Sequence, residues 1–233
     1  MLGPTRAFSL TGAALAGASL AWCGYRFATA FGVPASGPLR AADVGWNAAL
    51  LAAFALHHSA LARLPLRRWV AARLTPPIER SLYVWTASLL LAGVVTWWRP
   101  LPGVVWTASS PLSWGLAGLQ AAGMGLAAWS AALGGGLELV GLRPSPPQAD
   151  GAGGPFTTRG PYGRVRHPLY AGALLLLLAA TPMTTTRLVL AGLLTAYVLA
   201  AIPLEERSLR ATAPDAWDAY ARRVRYRLIP GVF

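Results

Sequence analysis

The chain is 233 residues long with a mass of 24.5 kDa, and 55% of it is hydrophobic against 12% charged, where ~25% charged is usual for a soluble domain. Its net charge of +12 comes from 20 basic residues against 8 acids, and every basic residue is Arg. The absence of Lys excludes a Walker-type phosphate loop and Schiff-base chemistry, and the single cysteine, Cys23, excludes an intrachain disulfide, a Cys-rich zinc site and a Cys-ligated iron–sulfur cluster.

Residues 7–25, 44–62, 81–98, 112–137, 167–186 and 188–204 carry no Asp, Glu or Arg, and each is close to the ~20 residues that span a bilayer core. The pattern predicts an all-α polytopic membrane protein, one integral membrane domain over 1–233. Six transmembrane helices are expected, four in the front half (1–142) and a hairpin of two within 143–233. The first run ends near Ala28-Thr29-Ala30, which resembles a signal-peptidase site. An uncharged run holding Trp22 and Tyr25 is long for a signal sequence, however, and reads as a membrane helix. Between the fifth and sixth runs, Pro182 and Thr184-Thr185-Thr186 cut one apolar tract into a tight hairpin centred near Arg187. Beyond the sixth, Trp217, Tyr220, Ala221 and Val224 recur at i, i+3, i+4 and i+7. With acids in its first turn and Arg in its last, this stretch predicts a C-terminal amphipathic helix lying against the bundle as a lid or along the membrane surface.

Sixteen of the 20 Arg fall on one side of this scheme, leaving only Arg26, Arg40, Arg99 and Arg187 on the other. Basic loops stay in the cytoplasm, so both termini are expected there, in a cell inner membrane. Because the Arg punctuate apolar runs and share no soluble face, membrane lipids are the expected partner and nucleic acid is not. Nothing in the chain sets an oligomeric state. Trp97, Trp98, Trp106, Trp114 and Trp129 read mostly as an interface belt near the outer leaflet. The Gly134-Gly135-Gly136 run reads as close helix packing rather than a phosphate cradle.

Ionisable residues beside a bilayer mark function by default, and here they converge on the cytoplasmic rim. His57 and His58 lie ~8 Å from the inner end of the second helix. Glu79 and Arg80 open the third, Glu138 closes the fourth, His167 opens the fifth, and Glu205 and Glu206 close the sixth. Pro168 suits a first helical position, which places His167 beside the free N–H groups of the fifth helix, a spot suited to an anionic group. Plainer readings compete with each assignment. Arg164, Arg166 and His167 would meet lipid phosphates, Glu206 would pair with Arg210 at i,i+4, and His57 and His58 would bond a neighbouring helix. For His57 the plain reading is preferred. Two acids at a helix C-terminus oppose the macrodipole and call for a cation to face them.

The run Arg159-Gly160-Pro161-Tyr162-Gly163-Arg164-Val165-Arg166-His167-Pro168-Leu169-Tyr170-Ala171-Gly172, followed after a helical hairpin by Glu205-Glu206-Arg207-Ser208-Leu209, resembles the isoprenylcysteine carboxyl methyltransferase superfamily of integral membrane enzymes. The resemblance implies an S-adenosylmethionine pocket on the cytoplasmic side, made by Phe156, Thr157, Tyr162, Arg166, His167, Pro168, Leu169, Tyr170 and one of Glu205 or Glu206. In the front half, His58-Ser59-Ala60-Leu61-Ala62-Arg63, Pro77-Ile78-Glu79-Arg80-Ser81-Leu82-Tyr83-Val84, Trp97-Trp98-Arg99-Pro100 and Glu138-Leu139-Val140-Gly141-Leu142-Arg143 are similar to bacterial methanethiol S-methyltransferases and NnrU-like proteins. The likeness covers about residues 44–210. Two features depart from it: Gly136 stands where the thiol methyltransferases carry a histidine, and Tyr226-Arg227-Leu228-Ile229-Pro230 is similar to membrane sterol reductases.

The resemblance implies methyl transfer to a small thiol entering from lipid, or to a related carboxyl acceptor. Such an in-line displacement needs only a nucleophile aligned with the methyl group and kept from water. A thiol must also lose its proton, and His58 and Glu138 are the candidate catalytic bases. Two alternatives remain open: a heme-binding NnrU-like isomerase or redox protein with His57, His58 and His167 available as ligands, and an NADPH-dependent membrane reductase. No other metal ligand set is assigned.

Overall fold

A computed structural model describes residues 3–63, 73–74, 76–135 and 156–233. Among them the chain forms α1 (Pro4–Ala28), α2 (Ala41–Arg63), α3 (Pro76–Trp97), α4 (Leu112–Leu133), α5 (Pro168–Leu178), α6 (Thr185–Thr212) and α7 (Pro214–Arg223). Two short strands, β1 (Val104–Trp106) and β2 (Met183–Thr184), pair antiparallel, and 3-10 turns occupy Ala30–Gly32 and Gly160–Gly163.

The protein is a helical membrane protein. Segments Thr5–Gly32, Ile78–Trp97, Leu112–Leu133 and Thr185–Thr212 are each long and apolar enough to cross a bilayer. The 23 residues of α2 match the second expected run. The fifth differs from expectation: α5 has 11 residues, which at 1.5 Å each is ~16 Å, about half a bilayer core. It stops because Pro182 brings no N–H and Met183-Thr184 leave the helix to pair with β1. The sixth differs in the opposite sense, running on to Thr212, so Glu205 and Glu206 lie inside α6 rather than at its end.

The described residues divide into two compact units, one holding residues up to Trp106 with 182–193, the other 107–135, 156–181 and 194–233. In the first unit α1 and α2 both pack on α3, around buried Phe31, Leu51, Val94, Val95 and Trp98. Trp98, assigned to the interface belt by its sequence, is instead packed at 5.9 Å from the Phe31 ring. Polar side chains pin these helices: Ser9 bonds Ser81 at 2.7 Å, Trp22 donates to Thr96 at 2.9 Å, and Trp85 donates to the Phe8 carbonyl at 3.2 Å. Fully buried Asn47 donates to the Arg99 carbonyl at 2.8 Å and accepts from the Arg99 N–H at 2.9 Å, reproducing a peptide pair with one side chain.

Arg187, expected in a loop, is buried. Its guanidinium donates to the carbonyls of Phe27 (2.7 Å), Ala28 (3.3 Å) and Pro182 (2.7 Å), so a cation satisfies the orphan carbonyls at the C-terminus of α1. The threonine run around it serves the same junction, Thr184 donating to the Phe31 carbonyl and Thr186 accepting from the Leu101 N–H at 2.7 Å.

In the second unit α4 packs on α5 through Gly123 and Gly172. A Cβ on Gly172 would sit 2.6 Å from the Gly123 carbonyl oxygen and 2.7 Å from the Ala127 nitrogen, so the two backbones touch. Buried Leu174, Val198, Ile202 and Leu228 join α5, α6 and the tail. A second cluster, Trp217, Tyr220 and Val224 with Phe156, Leu209 and Ala221, seats α7.

Candidate functional site

Arg166, His167, Pro168 and Tyr170 approach Glu205 and Glu206 in the second unit. His167 occupies the residue before α5 with Pro168 at the first helical position, so the chain enters the helix without a lost hydrogen bond. Glu206 lies one turn after Pro203, which removes one bond from the α6 ladder. Past the apolar stretch that ends at Leu204, Glu206 gathers three partners. Arg166 Nε lies at 3.0 Å from Oε1, His167 Nε2 at 3.3 Å from the same oxygen, and Arg227 Nη2 at 3.0 Å from Oε2. The charges of Arg166 and Arg227 and the hydrogen bonds from His167 and Arg227 favour the ionised carboxylate of Glu206. The i,i+4 partner expected for Glu206 is engaged elsewhere, since Arg210 pairs with Asp218 at 2.9 Å.

Glu205 faces differently. Its Oε2 accepts from the Tyr170 hydroxyl at 2.9 Å and lies 3.9 Å from His167 Nδ1. The rings of His167 and Tyr170 stack with centroids 5.7 Å apart. The Glu205 side chain is 35% exposed and that of Glu206 12%, so one carboxylate is presented and its neighbour consumed in an ion cluster.

The approach to α5 is held from several sides. Tyr162 donates to the Ser130 carbonyl at 3.3 Å, and its own carbonyl accepts from the Tyr220 hydroxyl at 2.8 Å. Burial, then the Glu205 charge, pushes the Tyr162 phenol up, and burial is the leading cause pushing Tyr220 up to about 12, so both remain protonated donors at neutral pH. Phe156 packs edge-on against Trp217 at 5.4 Å, and Thr157 Oγ1 accepts from the Arg159 N–H at 3.3 Å. Pro168 is buried and Leu169 half-buried. Sequence reasoning missed Arg227, the third partner of Glu206. The requirement for a cation facing the acid pair signalled that such a group exists, without selecting it from six Arg beyond residue 204.

Of the candidate bases, only His58 lies among the described residues. His58 belongs to the first unit, where its Nδ1 is 2.9 Å from the Tyr83 hydroxyl and its ring stacks on Phe54. Neighbouring His57 bonds Thr86 at 2.8 Å through Nε2. Both therefore bond a neighbouring helix. Glu138 and Gly136 lie outside the described residues. Among the described residues no group of three or more His, Cys, Asp or Glu is placed to hold a metal ion.

Helices able to span a bilayer, with an Arg-His-Pro-x-Tyr entry bonded to a Glu-Glu pair on the last long helix, define an isoprenylcysteine carboxyl methyltransferase-like membrane protein. The chain is 37% identical over 190 residues to methanethiol S-methyltransferase 2 of Bradyrhizobium diazoefficiens, covering 80% of this chain and 73% of that protein. It is 35% identical over 187 residues to the methanethiol S-methyltransferase of Mycobacterium tuberculosis, covering 76% and 75%. It is also 29% identical over 181 residues to human Nurim, covering 72% and 69%. It belongs to the methanethiol S-methyltransferase family. No family model matches the chain, and no solved structure matches it.

Proposed function

We propose that the protein is an S-adenosylmethionine-dependent membrane methyltransferase that methylates a small apolar thiol, of which methanethiol is the type, with a related carboxyl acceptor as a variant. The observation that carries this reading is the paired carboxylate arrangement at the start of α5, with Glu206 inside a cluster of Arg166, His167 and Arg227 and Glu205 presented on Tyr170. The donor's amino-acid end bears one carboxylate and one ammonium. The Arg166 guanidinium offers positive charge for the former, and Glu205 offers a partner for the latter. Glu205 is thus the acid that meets the donor, and Glu206 holds the wall behind it. Phe156, Thr157, Tyr162, Pro168 and Leu169 complete the pocket.

When bound, S-adenosylmethionine supplies an electrophilic methyl group on a sulfonium sulfur. The chain's task is to orient the acceptor, exclude water and take the thiol proton, a role assigned to His58 and Glu138. The Tyr83 hydroxyl at His58 Nδ1 fixes the plane of that imidazole. Six segments enter the membrane in this reading, α5 with α6 forming the final hairpin. Both termini and the active site face the cytoplasm of a cell inner membrane, and α7 lies at its surface.

Isothermal titration of the detergent-purified protein with S-adenosylmethionine and S-adenosylhomocysteine tests the donor assignment. Micromolar binding is expected, lost in Tyr170→Ala and Glu205→Gln. A folded, monodisperse wild type that binds neither compound refutes it. Headspace detection of dimethyl sulfide from methanethiol tests the acceptor, and full turnover at pH 7 by the His58→Ala, Glu138→Ala double variant removes both from the role of base.

A further inference from the structure

The donor site just proposed is built from α5, α6 and the loop before α5, yet a fourth segment reaches it. Two successive N–H groups of the loop donate to two successive carbonyls of the tail, Arg166 to Tyr226 at 2.9 Å and His167 to Arg227 at 2.8 Å. The tail is anchored on either side of these bonds. Leu228 is buried with Leu174, Val198 and Ile202, while Val224 is buried beside Trp217 and Tyr220. From this strap the Arg227 guanidinium spans Glu206, with Nε at 3.3 Å from both oxygens and Nη2 at 3.0 Å from Oε2. The Arg227 guanidinium also lies over the Phe233 ring, 5.4 Å from its centroid.

We infer that Arg227 is a positioning residue for the donor site: by holding both oxygens of Glu206 it fixes the carboxylate on which Arg166 and His167 converge, so the tail sets the geometry of the pocket wall. Glu206 bonds His167 and Arg227 and ion-pairs with Arg166, and Arg is the side chain whose planar fork can hold two oxygens at once. Without Arg227, Arg166 and His167 are left to share one carboxylate, and the adjoining Glu205–Tyr170 pair loses its fixed backing. The Arg227 side chain is 33% exposed, so its loss removes an orienting contact more than a buried core element. The inference rests on the proposed donor reading, and its own geometry is open to a separate measurement.

The test compares the full chain in nanodiscs with Arg227→Ala, Arg227→Lys, Glu206→Gln and the Glu206→Gln, Arg227→Ala double variant, with Arg222→Ala as a control in the same tail. Titration with S-adenosylhomocysteine should show Arg227→Ala weakened by about tenfold or more, the loss expected for a charge-assisted contact. Turnover at saturating donor should stay within about twofold of wild type, giving a KM effect without a kcat effect. Lys should restore part of the affinity, and the double variant should bind no worse than its weaker parent. Hydrogen exchange at the Arg166 and His167 amides reports the strap without any ligand and should accelerate in Arg227→Ala alone of the two Ala variants. Unchanged affinity in Arg227→Ala, or additive losses in the double variant, overturns the inference. If wild type binds no donor, the functional reading fails; faster exchange in Arg227→Ala then still supports the strap, and unchanged exchange overturns it.

Discussion

Replacing Gly172 by Ala should disable the site from one helical turn away. The new Cβ would meet the Gly123 oxygen at 2.6 Å and the Ala127 nitrogen at 2.7 Å, where heavy atoms rest no closer than ~3.5 Å. Both obstacles are backbone, so no rotamer change relieves them and α4 and α5 must part by close to ~1 Å. Overpacking of this kind costs about 1–3 kcal/mol, and in a membrane little but packing holds such helices together. Tyr170, two residues away on α5, bonds Glu205 at 2.9 Å; a displacement of ~1 Å takes that contact beyond hydrogen-bonding range. The reciprocal variant Gly123→Ala meets the Gly172 oxygen and the Leu176 nitrogen, both at 2.7 Å, and should behave alike. Gly118 and Gly125, on the same helix with nothing within 4 Å of an added Cβ, are internal controls. Ala there should leave stability unchanged or raise it by up to ~1 kcal/mol. Thermal unfolding in detergent, with donor binding on the same samples, decides the matter. Wild-type melting and binding in Gly172→Ala, or equal losses in the Gly125→Ala control, would refute the reasoning.

Two further outcomes are expected. Asn47→Ala should cost about 1–2 kcal/mol, because it removes the fully buried amide that bonds both the N–H and the carbonyl of Arg99; thermal melting checks this, and a melt within a degree of wild type argues against it. Arg187→Met should cost upwards of ~3 kcal/mol by leaving the carbonyls of Phe27, Ala28 and Pro182 unmatched, read as loss of monodisperse protein or a large drop in the melting midpoint.

The charge-free runs carried the first four helices, because stretches of that length and composition have one stable state in lipid and their ends are marked by Asp43, Glu79, Arg99 and proline. The meeting of Arg166 and His167 with the Glu205–Glu206 pair was legible as well, from the resemblance and from the cost of two acids on a helix without a cation. The short α5 was not. Periodicity and hydropathy are blind to which hydroxyls turn inward, and Thr184 and Thr186 end up bonded to the carbonyl of Phe31 and the N–H of Leu101. Arg187 misled for a related reason: a lone Arg between apolar runs reads as a loop residue, whereas its partners, the carbonyls ending α1, are backbone groups carrying no side-chain signature. Arg227 was hidden among like residues, since charge counting ranks no tail Arg above another.

The Arg187 contact also bears on the order in which the protein is made. The α1 helix leaves the ribosome before α6, and the cation that closes its last turn is encoded some 160 residues later, next to β2. Until that residue is translated and inserted, the C-terminal end of α1 keeps unmatched carbonyls that water or lipid headgroups must satisfy. The closing of the α1 end is thus expected to wait for Arg187. A nascent chain arrested before residue 187 should leave the α1 end open to protease or alkylating probes engineered at Ala30, and release of the arrest should close it.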